Sequence, residues 1–212
     1  MLTLLITRPR YETTTHYLFF WSKKIIETAV AKSFKVIDLK ENRANKKELT
    51  SIIIKTKPDL VILNGHGDSD LITGQNDEVL IKVGENEELL AGKIVYALSC
   101  KTARSLGPKS VAKGTKCYIG YKEDFVFFYN NSYFTRPLLD PWAGLFLEPS
   151  NQLAISLIKE HTVQEACEKI KDIYLKNIQE LIVNKSSDNF LIPSLLWNMQ
   201  YLTCIGDQFS RV

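Results

Sequence analysis

The chain has 212 residues, of which 45% are hydrophobic and 24% charged, with a net charge of +3 at neutral pH. That length supports one domain with a full core, and the composition excludes disordered, fibrous and disulfide-dense classes. The positive charge is weak and scattered. Lys23-Lys24, Lys46-Lys47, Lys109, Lys113 and Lys116 read as solvated surface, so nucleic acid is not an expected partner.

The opening MLTLLITRPR places its apolar run before its arginines and has no small-residue cleavage site, so it reads as a first strand and not a signal peptide. No stretch approaches the ~18 apolar residues of a membrane span, and no membrane partner is expected. Residues 13–32 follow a helical period, with Leu18, Trp21, Ile25 and Ala29 on one face and the threonines at 13–15 available as caps. Phe34–Leu39 reads as a second strand. Asn45-Lys-Lys-Glu48 opens a helix that turns Leu49, Ile52 and Ile53 inward, and Pro58 stops it.

Leu60–Leu63 is a continuous apolar run, the pattern of a strand buried on both faces. Val79–Val83 alternates and suits half of a small hairpin. NEELLAG is a helical turn ending at Gly92. KIVYALSC, Lys93–Cys100, and KCYIGY, Lys116–Tyr121, are two further buried strands. The chain is then irregular and aromatic to about Pro141 and helical to about Asn184, with Thr162-Val-Gln-Glu165 a capping box. The alternation of strand and helix predicts an α/β protein: a three-layer sandwich with a mainly parallel sheet and helices on both faces. A single domain is expected over 1–212, with a helical C-terminal part from about 139 to 205.

The four cysteines, Cys100, Cys117, Cys167 and Cys204, are widely spaced and form no CxxC. This reads as free thiols in a reducing, cytoplasmic setting. No Cys/His pair has zinc-ligand spacing, so no metal is expected. Cys117 reads as core, and Cys167 and Cys204 as structural residues of helical segments.

The chemistry centres on LVILNGHGD, Leu60–Asp68. His66 leaves the end of one buried strand, flanked by Gly65 and Gly67, and Cys100 closes another strand 34 residues later. Ligands of open α/β sheets bind outside the carboxyl ends of the strands. If the two strands are neighbours, an imidazole and a thiol meet at one edge, the arrangement of a general base and a cysteine nucleophile. Gly65 permits a tight turn, and the Gly67 and Cys100 N–H groups form a candidate oxyanion hole. Asp68 is a possible orienter of His66, although a solvated turn acid is the simpler reading. His16 and His161 flank helices and receive no catalytic role.

The strand–His-Gly and strand–Cys halves, LVILNGHG and KIVYALSC, resemble the caspase-like cysteine peptidases: caspases, metacaspases, legumains, separases, gingipains and bacterial CHAT-type proteases. GTKCYIGY is similar to the strand that follows the cysteine in these proteins, and the helical finish from about FTRPLLDPWAGLF is similar to CHAT and gingipain-like members. The resemblance spans about residues 1–182, with its specific core at 60–121. It implies a caspase–haemoglobinase fold, a cysteine endopeptidase with His66 as base and Cys100 as nucleophile, a protein or peptide substrate, and no cofactor. The lack of a sensor or repeat domain suggests control by a separate activating or regulatory protein or by processing. The CHAT likeness raises a bacterial defence role.

The chain departs from its relatives beside the nucleophile. Leu98-Ser99 stands where caspases have Gln-Ala and where metacaspases and legumains place an acid, so the P1 pocket does not transfer. Three residues are candidates for it. Arg8, at the start of a solvated loop, suits an acidic P1. Glu123 and Asp124, after KCYIGY, suit Arg or Lys, and Asp124 is favoured because Phe125 follows it. Two other functions stay open: a silent interaction domain on the same fold, and a Rossmann-like nucleotide site, which the missing G-x-G-x-x-G disfavours.

Overall fold

The structure is a computed structural model that describes residues 1–184 and 187–212. Five strands run parallel: β1 (Thr3–Arg8), β2 (Lys35–Lys40), β3 (Leu60–Asn64), β7 (Ile94–Leu98) and β8 (Cys117–Tyr121). They lie in the order β2-β1-β3-β7-β8, and a sixth strand, β9 (Leu202–Gly206), closes the edge antiparallel to β8. A separate antiparallel sheet is built from β4 (Gly67–Asp68), β5 (Leu71–Thr73) and β6 (Val79–Lys82). Val79 and its neighbours therefore form a hairpin arm, as their alternation implies.

Strand period two divides the core between the two faces of the sheet. Leu4, Ile6, Leu60, Ile62, Ile94, Tyr96 and Ile119 face one cluster, which takes in α1 (Thr13–Trp21), α2 (Lys23–Ala31), α5 (Pro141–Ile158), α6 (Val163–Val183) and α7 (Ile192–Tyr201). Leu5, Val61, Leu63, Val95, Ala97 and Tyr118 face the other, with α3 (Lys46–Thr56), α4 (Leu106–Ala112) and the small sheet. The expected three-layer α/β sandwich is the architecture found.

The helix expected over 13–32 is two helices. Asn151 Nδ2 donates to the Trp21 carbonyl at 2.8 Å, and the Ser22 hydroxyl donates to Phe19 O at 3.2 Å. The break follows because the Trp21 carbonyl serves α5 instead of its own helix. The cap also differs from expectation. Glu12, not a threonine, is the N-cap: its carboxylate accepts from Thr14 N at 2.7 Å and Thr15 N at 2.5 Å, and Thr15 Oγ1 accepts from Glu12 N. Asn45 caps α3 as expected, accepting from Glu48 N at 2.8 Å, and Thr162 and Glu165 form the capping box of α6.

Two cysteine readings are corrected. Cys167 and Cys204 are joined in a disulfide, so they are not free thiols, and Cys204 lies in β9 instead of a helix. The helical C-terminal part thus ends at Tyr201. Spacing hides this pair because folding, not sequence proximity, lays β9 beside α6. Only Cys100 and Cys117 are free. No helix among the described residues is long and apolar enough to cross a membrane.

The bridge closes a loop across a sequence separation of 37. Cross-linking a loop of that size restricts the unfolded chain by about 4 kcal/mol. The double variant Cys167→Ser/Cys204→Ser is expected to melt roughly 8–16 °C below wild type, given ~2–4 °C per kcal/mol for a chain of this length. Calorimetry under oxidising and reducing conditions checks this: wild type should fall to the variant's value on reduction, and an unchanged melting temperature counts against the bridge.

Candidate active site

The site is set by strand register. β3 and β7 are adjacent and parallel, with Asn64 opposite Leu98. His66 and Cys100 each lie two residues beyond that pair, at the carboxyl edge of the sheet. Side chains stitch the exit in place. Asn64 is buried, with its N–H donating to Thr7 Oγ1 at 3.0 Å and its Nδ2 to Thr7 O at 2.9 Å. The buried Ser99 hydroxyl donates to the Gly65 carbonyl at 2.9 Å, joining the two loops that carry the candidate base and nucleophile.

Both glycines are required by close approach. A Cβ at Gly65, where φ is +155°, would stand 2.1 Å from the Thr73 carbonyl oxygen. A Cβ at Gly67 would stand 2.7 Å from Thr102 Cγ2 and 2.9 Å from the Cys100 carbonyl oxygen. Without side chains the His66 loop lies directly against the Cys100 backbone. Lys101 then takes a left-handed conformation (φ 59°), uncommon for a residue with a side chain, and its N–H donates to Glu123 O at 3.1 Å.

The imidazole is half-exposed. Its Nε2 lies 3.4 Å from Glu12 Oε1, and the Tyr11 ring meets it edge-on at 6.3 Å between centroids. Tyr11 is fixed in turn by its hydroxyl, which donates to Asp77 Oδ1 at 2.5 Å. Burial opposes ionisation of Glu12, but hydrogen bonds from Thr15 and Thr14, with His66 adding to them, hold it below the usual carboxylate range. Glu12 was not legible as a site residue, because it reaches His66 only by capping α1. Asp68, the sequence candidate for orienting His66, accepts from Ser69 N and lies in the field of Lys101 and Arg104.

The Cys100 thiol is partly buried and its Sγ is 4.0 Å from the Phe125 carbonyl oxygen. Burial pushes the thiol up; Asp124 adds to this, while the Phe125 contact and Lys101 pull the other way without cancelling it. Asp124 is half-exposed and pairs with Lys101 Nζ at 3.1 Å. Glu123 is more buried and pairs with Arg104. Both acids lie on the edge that carries Cys100.

Arg8 does not lie in a solvated loop. It ends β1 with a buried side chain: Nε and Nη2 donate to the two Asp38 carboxylate oxygens at 2.9 and 2.5 Å, Nη1 donates to Phe19 O at 2.9 Å, and the guanidinium stacks 4.3 Å from the Phe19 ring. An arginine paired this way has no free fork for a substrate acid. The structural ion pair was hidden because Asp38 arrives from β2 by parallel pairing.

No protein-family model and no curated protein matches the sequence. Among solved structures, the chain is similar to the complex of Porphyromonas gingivalis RgpB pro- and mature domains, with a TM-score of 0.63 at 10% identity over 100% of this chain and 48% of that one. It is likewise similar to the Arg-specific cysteine proteinase gingipain R (RGPB), with a TM-score of 0.62 at 11% identity over 100% of this chain and 47% of that one. The chain spans about half the length of these structures. Its fold is that of the caspase-like cysteine peptidases, the caspase–haemoglobinase fold.

Thiol chemistry separates the cysteines. Iodoacetamide is expected to label Cys100 and to spare Cys117, which is fully buried with its thiol pushed up to about 11 by burial. The Cys100 rate should climb with pH through an inflection above the ~8.5 of a free thiol. Asp124→Asn removes a negative charge that favours the neutral thiol, so it should lower that inflection and quicken labelling at pH 7. Mass mapping across a pH series reads both effects, and an inflection unmoved by Asp124→Asn would remove Asp124 from the thiol's environment.

Proposed function

We propose that the chain is a cysteine endopeptidase acting on protein or peptide substrates, with Cys100 as nucleophile, His66 as general base and Glu12 as the acid that orients His66. One observation carries the reading. A thiol and an imidazole follow two strands paired in register, and a carboxylate stands against the imidazole Nε2. With Nε2–H directed at Glu12, Nδ1 is the basic nitrogen left for the thiol proton. The thiolate adds to the scissile carbonyl, and the new oxyanion is held by the Gly67 and Cys100 N–H groups. The imidazolium, stabilised by Glu12, protonates the leaving amine. Water, deprotonated by the same imidazole, then releases the acid from the thioester.

Asp124 is the candidate acid for a basic P1 residue. It is half-exposed on the Cys100 edge, and its present partner is a surface lysine that an incoming cation can replace. Glu123, shielded and held by Arg104, is second, and Arg8 drops out. A resting thiol held in its protonated form suits an enzyme controlled by a separate regulatory protein or by processing.

Cleavage of matched peptides with Arg, Lys, Asp, Asn or Leu at P1 tests the reading. Cys100→Ala should abolish turnover, and His66→Ala should lower kcat by roughly 10²–10⁴. Glu12→Gln should lower kcat less than His66→Ala does. Asp124→Ala should remove a preference for Arg and Lys of roughly tenfold to a hundredfold, the worth of a charge-assisted hydrogen bond of about 1.5–3 kcal/mol. Turnover that survives Cys100→Ala overturns the mechanism, and a preference for Asp overturns the pocket alone.

A further inference from the structure

Residues 122–126, the strap that follows β8, set the Phe125 carbonyl 4.0 Å from the Cys100 sulfur. The strap has no sheet partner beyond Tyr121, which pairs with Leu202. Helix α7 holds it instead, at every second residue. Lys122 N donates to Tyr201 O at 3.0 Å, and Trp197 Nε1 donates to Asp124 O at 2.9 Å. At Val126, Asn198 Nδ2 donates to the carbonyl at 2.6 Å and Asn198 Oδ1 accepts from the N–H at 3.0 Å.

Asn198 is fully buried. A primary amide inside an apolar helix face is costly unless both its ends are satisfied. Here both ends are engaged by one backbone residue, so the side chain acts as a one-residue stand-in for a missing strand. The alternation matters for Cys100. Because residues 122, 124 and 126 are turned toward α7, Phe125 between them turns its carbonyl to the thiol, and its ring packs 4.9 Å from Tyr121.

We propose that Asn198 is a positioning residue for Cys100: by pairing with both backbone groups of Val126 it fixes the face of the 122–126 strap that the thiol meets. The inference rests on Cys100 being the nucleophile, and it deepens that reading by assigning to α7 the setting of the thiol's surroundings. The charged groups around the thiol are Asp124 on the strap and Lys101 on its own loop. Glu123 and Arg104 flank these, His66 and Asp68 belong to the neighbouring loop, and Glu12 meets His66 from the cap of α1. Releasing the strap moves Asp124 and Phe125 away together and opens the thiol to water, so its titration should fall back toward that of a free cysteine.

The test compares Asn198→Ala with Asn151→Ala, which removes another buried amide, the one bonded to Trp21 O. Both are expected to lower the melting temperature. Only Asn198→Ala should shift the Cys100 alkylation profile to lower pH, speed labelling at pH 7 several-fold, and depress kcat more than it changes KM. Trp197→Phe keeps the ring and loses the bond to Asp124 O, so it should show the same shift on a smaller scale, even if Asn198→Ala does not fold. Asn198→Asp retains the acceptor for Val126 N and loses the donor, and should fall between wild type and Ala. An alkylation profile unchanged in Trp197→Phe and in every folded Asn198 variant overturns the inference, whatever the melting temperatures. Alkylation needs no turnover. A shifted profile in a protein that cleaves no peptide therefore supports the role of Asn198 and refutes the peptidase reading; an unshifted profile in an active enzyme does the reverse.

Discussion

The register of β3 against β7 is the constraint on which the site depends. With Asn64 opposite Leu98, the two chains leave the sheet at the same height, and His66 and Cys100 each follow two residues later on adjacent exits. A slip of one residue would turn each strand's inward set toward the opposite face. Both strands are fully buried, with Leu60, Ile62, Ile94 and Tyr96 committed to one cluster and Val61, Leu63, Val95 and Ala97 to the other, so the register is enforced from both sides. The Ser99–Gly65 hydrogen bond extends that order past the last ladder pair, where backbone pairing no longer acts.

Around this edge the acids and bases divide by role. Arg8 and Asp38 neutralise one another on the β1–β2 side and lock α1 through Phe19. Locking α1 fixes its first turn, and Glu12 is both that turn's cap and the carboxylate beside His66. One side chain thus ends a helix and faces an imidazole. Its two jobs are compatible because the cap occupies the carboxylate from the Thr14 and Thr15 amides while Oε1 still stands at ion-pair distance from Nε2.

The sequence made the sheet and its working edge legible, because local rules govern them. Continuous apolar runs mark strands buried on both faces, and a histidine between glycines after such a run marks a crowded exit. What escaped was set by contacts distant in sequence. Trp21 O is taken by Asn151, which divides one periodic helix into two. Asp38 meets Arg8 across a parallel pair, so a loop-like Arg-Pro-Arg hides a buried ion pair. Cys204 meets Cys167 only once β9 folds back along β8, and a short LTCIG run beside a helical stretch gave no periodic signal of its own. Glu12 and Asn198 escaped for the same reason: each acts through a backbone or side chain far along the chain.

The resting site favours the neutral thiol, and this has a consequence for substrate choice. Each unit by which a thiol's titration is raised costs about 1.4 kcal/mol in forming the thiolate. Burial supplies the largest part of that opposition at Cys100 and Asp124 the largest charged part, while Lys101, paired with Asp124, is a partial counterweight. On the proposed reading, a basic P1 side chain takes the place of Lys101 on the Asp124 carboxylate and offsets its field at the sulfur. Lys101, displaced from Asp124, is then free to favour the thiolate. Substrate recognition and nucleophile activation would share one carboxylate, so a peptide that leaves Asp124 unpaired would lose in kcat as well as in binding. That coupling follows from the place of Asp124 immediately before Phe125, whose carbonyl faces the thiol.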